Sequence, residues 1–226
     1  MKMIKNTIAV SVVCMVAALF GLDATAAGSA PAATPRTLAI QMGAPFHDHA
    51  ILQRGMKVPV WGWSEPGDTI TVEFAGQKKT AKVGPSTGSG QAKWIVWLDP
   101  LKASFEPRVM TISSPIGNRQ SSIINVLVGE VWLASGQSNM QWSTRKSSVA
   151  QIVHAFLEER AAAENGVIPI REFEVTSVTA MLHPIEKATG YWKNGTKNEF
   201  SAIAFAFAHK LYKELNVPIG ILNCSF

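Results

Sequence analysis

The chain has 226 residues, 47% of them hydrophobic, which is enough for one large or two small folded domains. Its formal charge of +5 is scattered, and its one dense basic stretch, Gln77–Lys82, is typical of a solvated hairpin rather than a nucleic-acid surface. Of its two cysteines, only Cys224 lies beyond the N-terminal leader, which excludes a disulfide framework.

The first 27 residues have the layout of a secretory signal peptide. Lys2 and Lys5 precede an apolar segment, residues 8–22, and small residues follow it. The segment is short for a membrane anchor, and Cys14 lies inside it rather than after a small-residue box, which argues against a lipoprotein. Cleavage would leave an exported protein, periplasmic or secreted, with no membrane attachment. The loss of two lysines and one aspartate would lower its charge to +4.

An antiparallel β-sandwich is predicted for residues 37–125, after a flexible lead-in at residues 28–36 that is rich in small residues and proline. Short runs of alternating apolar and polar residues are separated by turn signals such as Pro66-Gly67. The clearest apolar alternations are Ile70, Val72 and Phe74, and Trp94, Val96 and Leu98.

After residue 125 the pattern changes to buried apolar strands that alternate with helices, which predicts a parallel α/β sheet over residues 126–226. Ser147 or Ser148 is expected to cap the first helix, and residues 177–200 are expected to be irregular. The predicted elements are buried strands at 126–134, 167–176 and 219–222, and helices at about 149–157 and 201–215.

A polar cluster, Ser135–Asn139, directly follows the first of these strands. In parallel α/β sheets, ligand sites lie at the carboxyl ends of the strands, where Ser138 is expected. Gly136 would let the backbone and a ligand approach closely, and Gln137 or Asn139 would hold the loop by side-chain hydrogen bonds. A serine nucleophile needs a base and N–H donors for its oxyanion, but a capped turn would need the same residues. The pattern alone supports both readings equally.

Three of the seven tryptophans also have two interpretations each. Trp61 and Trp63 share one face of a strand, in the core of the sandwich or at a domain interface. Trp142, close to Ser138, either lines a sugar pocket or packs in the core beneath the serine loop.

The stretch Val126–Met140, VLVGEVWLASGQSNM, resembles the signature of the sialate O-acetylesterase family, within the SGNH/GDSL hydrolases. Ile51–Arg54 and Val58–Trp63 resemble the N-terminal β domain of that family. Ser201–Phe205 and Val217–Ile221 resemble its later helix and strand.

The resemblance implies a serine carbohydrate esterase that uses no cofactor or metal. Ser138 matches the nucleophile that attacks an O-acetyl carbonyl, and its own N–H would be one oxyanion donor. The implied substrate is an O-acetylated sialic acid, and related enzymes act on other acetylated sugars. A noncatalytic carbohydrate-binding protein is the alternative.

The sequence departs from the family at its catalytic base. The family carries a Gly-Gly turn after the strand that matches residues 219–225, and an Asp-x-x-His pattern much later. None of the five histidines here has an aspartate three positions earlier. We therefore expect this chain to be the N-terminal portion of such an enzyme, with little activity alone.

The histidines offer no evident replacement for that base. His154 is predicted to face solvent and His209 to pack beside the apolar face of its helix. His183 lies in the irregular segment and is the best remaining candidate. His47 and His49 flank an aspartate, but no third ligand is visible nearby, so no metal is assigned.

Overall fold

The computed structural model describes residues 40–86, 90–163, 166–176, 187–193 and 200–225. Thr37–Phe226 forms one compact unit. The predicted signal peptide and lead-in lie outside the described residues. None of the helices in the described ranges has the length and apolar character that a membrane span requires.

Eleven strands and three α-helices make up the described part of this unit, together with two short 3-10 turns. The strands are β1 (Gln41–Met42), β2 (Ile51–Gln53), β3 (Val58–Ser64), β4 (Thr69–Phe74), β5 (Gln77–Lys82), β6 (Ala92–Leu98), β7 (Ser104–Ser114), β8 (Arg119–Gly136), β9 (Ile170–Val175), β10 (Gly190–Lys193) and β11 (Ile219–Ser225). The helices are α1 (Ser138–Gln141), α2 (Ala150–Ala162) and α3 (Ala202–Leu215).

The result is a mixed α/β fold dominated by one large sheet. That sheet has eight strands in the order β10-β9-β11-β8-β7-β4-β5, with β2 also paired to β8, and a separate three-stranded sheet has the order β1-β3-β6. β8 is antiparallel to β7 in its first half and parallel to β11 in its second half. The predicted boundary between residues 125 and 126 falls inside β8, which continues across it. The division into two domains stays a prediction.

The predicted alternation in the antiparallel part is confirmed. Ile70 and Val72 of β4 are buried, and so are Val96 and Leu98 of β6, while Trp97 between them is exposed. Residues from both sheets join in one apolar core, because each strand presents its apolar side chains to the space between the sheets. The basic stretch forms β5, the second strand of a hairpin with β4; Lys78 and Lys82 are exposed, and Lys79 is partly buried and pairs with Asp99.

Trp61 and Trp63 lie on one face of β3, as predicted, but this is not the face that carries Val58 and Val60 into the core. The Trp61 ring packs edge-on against Phe46, with 4.7 Å between the ring centroids. The ammonium of Lys187 lies 4.9 Å from the centre of the Trp63 ring. Trp63 is nevertheless only 7% exposed, and Trp61 is partly buried against the main apolar core. The sandwich-core and the domain-interface interpretations both stay predictions.

A second apolar core lies between the helices and the parallel strands. It contains Val153 and Phe156 of α2, Phe205 of α3, and Ile219 and Ile221 of β11. The predicted strands at 167–176 and 219–222 and both predicted helices are confirmed. In α3, the Ser201 hydroxyl caps the helix by accepting the Ala204 N–H at 3.3 Å.

Two details of the parallel part differ from expectation. α2 begins after Val149, whose position has no side-chain cap, so the predicted cap by Ser147 or Ser148 is wrong. The Ser147 hydroxyl instead accepts the Val149 N–H in the preceding turn, at 3.3 Å. Residues 190–193, predicted to be irregular, form β10, because they pair with β9.

The apolar run at the end of β8 is a strand, as predicted, but it is not buried. Trp132 is 44% exposed and Leu133 69% exposed. Among the described strands, β8 beyond Gly129 pairs only with β11, so its other edge is open. Trp132 packs edge-on against Phe207 of α3 at 5.2 Å, whereas Leu133 lies on the opposite face.

Glycine is required where β8 and the start of β11 approach most closely. The carbonyl oxygen of Pro218 accepts the Glu130 N–H at 2.9 Å. A Cβ atom on Gly129 would lie 1.8 Å from the same oxygen, which no side chain tolerates. Gly129 therefore permits the pairing that brings the ends of β8 and β11 together.

A buried arginine joins β9 to the antiparallel part. Arg171 is 1% exposed, and its Nη1 donates to the carbonyl oxygens of His49 at 2.8 Å and Asn125 at 2.6 Å. Its Nε donates to the Ile168 carbonyl at 3.0 Å. His49 and Asn125 both have positive φ angles, 71° and 56°, a backbone conformation that is unfavourable for most residues. The guanidinium of Arg171 therefore stabilises two such residues at once. Burial lowers the pKa of Arg171 to about 10, which leaves it charged at neutral pH.

Replacement of this arginine should destabilise the whole unit. In Arg171→Met, three partly buried carbonyl groups lose their donor, and we expect a loss of roughly 3–5 kcal/mol in the free energy of unfolding. The matched control is Arg108→Met, which removes an arginine from a surface pair with Glu106 and should cost at most about 1 kcal/mol. Urea unfolding followed by tryptophan fluorescence measures both changes. Equal losses in the two variants would contradict the role of Arg171.

The same junction should make stability depend on pH. Burial and then the charge of Arg171 lower the pKa of His49, against the opposing effect of Asp48. The neutral form of the His49 ring is thus favoured in the folded state. Its contribution to the free energy of unfolding is complete above about pH 6.5, the pKa of a histidine in the unfolded chain, and is lost as the pH falls below that value.

We expect the urea midpoint to fall more steeply from pH 7.5 to pH 5.5 in the wild type than in His49→Asn. Asparagine suits this control because it tolerates the positive φ angle of residue 49. The pKa of His209 is also lowered by burial, but its effect is common to both proteins and cancels in the comparison. Parallel pH profiles for the two proteins would refute the prediction.

Candidate active site

Ser138 lies where the sequence predicts it. It is the first residue of α1, two residues after the end of β8, and its side chain is exposed. β8 is parallel to β11 at this end, and β11 is parallel to β9, so the carboxyl ends of three strands meet here. This edge of the sheet is the usual place for a ligand site in an α/β fold.

The turn into α1 is held by backbone groups. The carbonyl of Gln137 accepts the N–H groups of Met140 at 2.8 Å and Gln141 at 3.1 Å. Gly136 has a φ angle of 155°, which residues with a side chain rarely adopt, and an added Cβ atom would lie 3.3 Å from the Met140 Cβ. The close approach of a ligand at Gly136 stays a prediction. Neither Gln137 nor Asn139 forms a side-chain hydrogen bond with another described residue, so their role in holding the loop stays a prediction. The tight turn places their carbonyls, rather than their side chains, against its N–H groups.

The segment after Ser138 is fastened to the start of α3. The Trp142 carbonyl accepts the Ala202 N–H at 2.8 Å, and the Thr144 N–H donates to the Phe200 carbonyl at 2.9 Å. The hydroxyl of Ser201 also lies 3.4 Å from the sulfur of Met140. These contacts fix residues 140–144 along residues 200–202, and with them the far end of α1.

Trp142 lies on the surface, with 54% of its area exposed. Its indole N–H donates to the Lys146 carbonyl at 2.9 Å. The core interpretation of Trp142 is therefore wrong, because the short helix α1 carries the chain outward over the end of the sheet. The ring is available to a ligand, as the sugar-contact interpretation requires.

A buried carboxylate that the sequence analysis did not single out organises this end of the sheet. Glu172 of β9 is 1% exposed. Its Oε2 accepts the Ser201 N–H at 2.9 Å, and its Oε1 accepts from the Asn223 amide at 3.1 Å and from Lys193 Nζ at 3.3 Å. The sequence signal was the adjacent charged pair Arg171-Glu172 beside the apolar residues of a predicted buried strand, since adjacent buried charges require partners on both faces.

Lys193 of β10 lies between two carboxylates. Its ammonium forms ion pairs with Glu172, at 3.3 Å, and with Glu174. Burial alone would lower the pKa of Lys193, but the charges and hydrogen bonds of the two glutamates outweigh it and raise the pKa. The lysine is therefore charged, and the carboxylates of Glu172 and Glu174 neutralise its charge within the protein.

These groups line a cavity of about 420 Å³ at the carboxyl ends of β9 and β11. Gln141 of α1 reaches this cavity, and Ser225 in its wall pairs with Gly136 in the sheet, so the cavity adjoins the serine loop. Its lining is mostly polar. The lining residues are Gln141, Ser143, Arg145, Glu172, Glu174, Val175, Tyr191, Lys193, Phe200, Ser201, Asn223 and Ser225.

No described residue forms a hydrogen bond with the Ser138 hydroxyl, and the described histidines contact other groups. His154 is exposed and pairs with Glu158 at 3.2 Å, and His209 stacks on Phe205 with 5.8 Å between centroids, both as predicted. His183 lies outside the described residues.

The His47–His49 segment has structural contacts. The His47 ring stacks on Phe173 at 6.4 Å, Asp48 accepts the Ile124 N–H at 2.8 Å, and His49 Nδ1 lies 2.9 Å from the Asn125 amide. In the part of the chain that the structure describes, no three His, Cys, Asp or Glu side chains are grouped to hold a metal ion.

Comparison with known proteins identifies the relatives of this chain. No protein-family model matches it. Sialate O-acetylesterases from Mus musculus and Homo sapiens are 33% and 34% identical to it over 74% of its length. The chain is similar to sialate O-acetylesterases. The predicted resemblance is thus confirmed, and the chain spans about a third of the length of these relatives, 32% of the mouse protein and 33% of the human one.

A solved structure supports the same relationship. A carbohydrate acetylesterase from Xanthomonas citri matches 83% of this chain and 40% of its own, with 34% sequence identity and a TM-score of 0.69. The similarity to acetylesterases thus holds in sequence and in three dimensions.

The contacts of Glu172 predict a local effect of its removal. In Glu172→Leu, the Ser201 N–H loses its acceptor, and we expect its amide hydrogen to exchange at least about tenfold faster, which corresponds to roughly 1.4 kcal/mol. Native-state hydrogen exchange by NMR measures this, with the amides of β4 as an internal reference. The control is Glu174→Leu, which removes the more exposed partner of Lys193 and should leave the Ser201 amide unchanged. Equal exchange of the Ser201 amide in both variants would contradict the role of the Glu172 carboxylate as its acceptor.

Proposed function

We propose that this chain carries the nucleophile-bearing part of a serine carbohydrate O-acetylesterase. The observation that supports it is the position of Ser138, exposed at the start of α1 and at the carboxyl end of a parallel strand, within the stretch that resembles the sialate O-acetylesterase signature. We assign residues 37–125 to a β-sandwich domain and residues 126–226 to part of an SGNH-type α/β domain. The N-terminal 27 residues would direct export and then be cleaved.

In the proposed reaction, the Ser138 hydroxyl attacks the carbonyl carbon of an O-acetyl ester. The Ser138 N–H precedes the first hydrogen bonds of α1 and would donate to the oxyanion, with Gly136, Gln137 and Asn139 shaping the loop. Collapse of the tetrahedral intermediate releases the sugar alcohol and leaves acetyl-Ser138, which water hydrolyses to acetate. No metal or cofactor takes part.

The proposed reaction also needs a base that takes the serine proton. The described histidines have other contacts, so a base from outside the described residues is required. The family resemblance implies an Asp-x-x-His pair for this role.

The proposed substrate is an O-acetylated sialic acid, after the names of the curated relatives. Another acetylated sugar is the second candidate, because the solved relative is named a carbohydrate acetylesterase. Trp142 would contact the sugar beside Ser138. A noncatalytic carbohydrate-binding function is the alternative.

The chain by itself should release acetate slowly. The loss of triad members costs at least about 10⁴-fold in turnover, and we expect a rate far below the 1–10³ per second, roughly, of typical enzymes. The assay measures acetate released from O-acetylated sialic acid and from acetylated xylose. Turnover in the normal range would show that this chain contains a base of its own, and His183 would be the first residue to replace.

A chimera tests the role of Ser138 directly. It joins this chain to the part of the Xanthomonas acetylesterase that this chain does not cover, where the family resemblance implies that the Asp-x-x-His pair lies. Ser138→Ala should then lower acetate release by about 10³-fold or more. Ser135→Ala is the control, because that serine lies in the same loop with its hydroxyl 3.4 Å from the Cys224 carbonyl. Retained turnover in Ser138→Ala would remove Ser138 from the mechanism.

A further inference from the structure

The cavity beside the serine loop is built to bind a small polar ligand. Its volume of about 420 Å³ lies within the roughly 300–1,000 Å³ of small-molecule sites. Its innermost polar group, the Glu172 carboxylate, is almost fully buried and is held by three donors from β10, β11 and the start of α3. The Glu172 carboxylate is held rigidly, because each of its three hydrogen-bond donors lies on a strand or at the start of a helix.

The charges of the cavity argue against a site for an anion. Glu172 and Glu174 both contact Lys193, so these three groups carry a net charge of −1. Arg145, at the exposed rim, brings the lining to neutrality. A carboxylate placed beside Lys193 would meet two like charges within a few ångströms, which is unfavourable.

The remaining groups suit hydroxyl groups instead. Glu174 is a half-exposed acceptor, and the hydroxyls of Ser143 and Ser225 can both donate and accept hydrogen bonds. Sugar hydroxyls have the same dual character, so a mixed set of donors and acceptors can satisfy several of them at once.

An aromatic ring completes the cavity wall. Tyr191 of β10 is 55% exposed, and its hydroxyl donates to Glu174 Oε2 at 3.2 Å. This bond fixes the ring in place while much of its surface remains open. An exposed aromatic ring offers an apolar surface against which the C–H face of a sugar ring can pack.

We propose that this cavity, with Glu174 and Tyr191 as its contact residues, binds the uncharged, hydroxyl-bearing part of a sugar. The choice of a sugar rests on the proposed function, whereas the preference for an uncharged segment rests on the charges of the cavity. The cavity would hold the polyol portion of an acetylated sugar next to Ser138, and any carboxylate of that sugar would point away from Lys193.

The test is binding of unacetylated sugars to the full chain, which requires no ester hydrolysis. Saturation-transfer NMR and titration compare the methyl glycosides of glucose and galactose with those of glucuronic and galacturonic acid, which add one carboxylate to the same rings. We expect the neutral glycosides to bind at least about tenfold more tightly than the charged ones. Glu174→Gln and Tyr191→Ala should each weaken binding of the neutral glycosides about fivefold or more.

Matched variants test whether the effects on sugar binding are specific to the cavity. Glu73→Gln makes the same change on the distant β4–β5 hairpin and should bind like the wild type. Tyr191→Phe keeps the ring but removes its bond to Glu174, and should lose less affinity than Tyr191→Ala. Ser138→Ala should bind the neutral glycosides like the wild type. A variant that releases no acetate but still binds the sugar therefore reports on the proposed reaction and not on the cavity.

Three results would overturn the proposal. They are no binding of either neutral glycoside in the millimolar range, equal binding of neutral and charged glycosides, and unchanged binding in both Glu174→Gln and Tyr191→Ala. Acetate release by the chimera together with any of these would leave the esterase proposal standing and remove only the cavity from it.

Discussion

Two adjacent buried charges on β9, Arg171 and Glu172, connect this strand to the other parts of the structure. Neighbouring side chains of a strand point to opposite faces, so the two charges cannot neutralise each other. Each is only 1% exposed and must find its partners on its own side of β9. Arg171 binds backbone carbonyls of the antiparallel part, whereas Glu172 binds the start of α3, Asn223 and Lys193. β9 is thereby joined to both halves of the sheet.

The geometry around Ser138 follows from the second of these charges. Glu172 fixes the Ser201 N–H, and residues 200–202 in turn fix residues 140–144 by backbone hydrogen bonds. The other end of α1 is set by the pairing of Gly136 with Ser225. The serine is therefore exposed on a turn that is held at both ends, which suits a group that must meet a ligand in a defined orientation.

β8 shows how one strand can serve two environments. Its first half lies inside the sheet, with Val126, Leu127 and Val128 almost fully buried. Its second half pairs with β11 alone among the described strands, and there Trp132 and Leu133 are exposed. The runs Val126–Val128 and Val131–Leu133 are both apolar, so the neighbours of the strand, and not its composition, decide their burial.

The sequence by itself determined the features that depend on local pattern. Alternation predicted the buried faces of β4 and β6, apolar spacing predicted α2 and α3, and the change from an apolar run to polar residues placed Ser138 at a strand end. Only the tertiary structure decided which separated residues meet. Glu172, Lys193 and Asn223 are up to 51 positions apart in the chain, and Leu133 is exposed at a place where β11 is the only described strand beside β8. Local sequence specifies conformation and amphipathicity, but partners and burial depend on how distant segments pack.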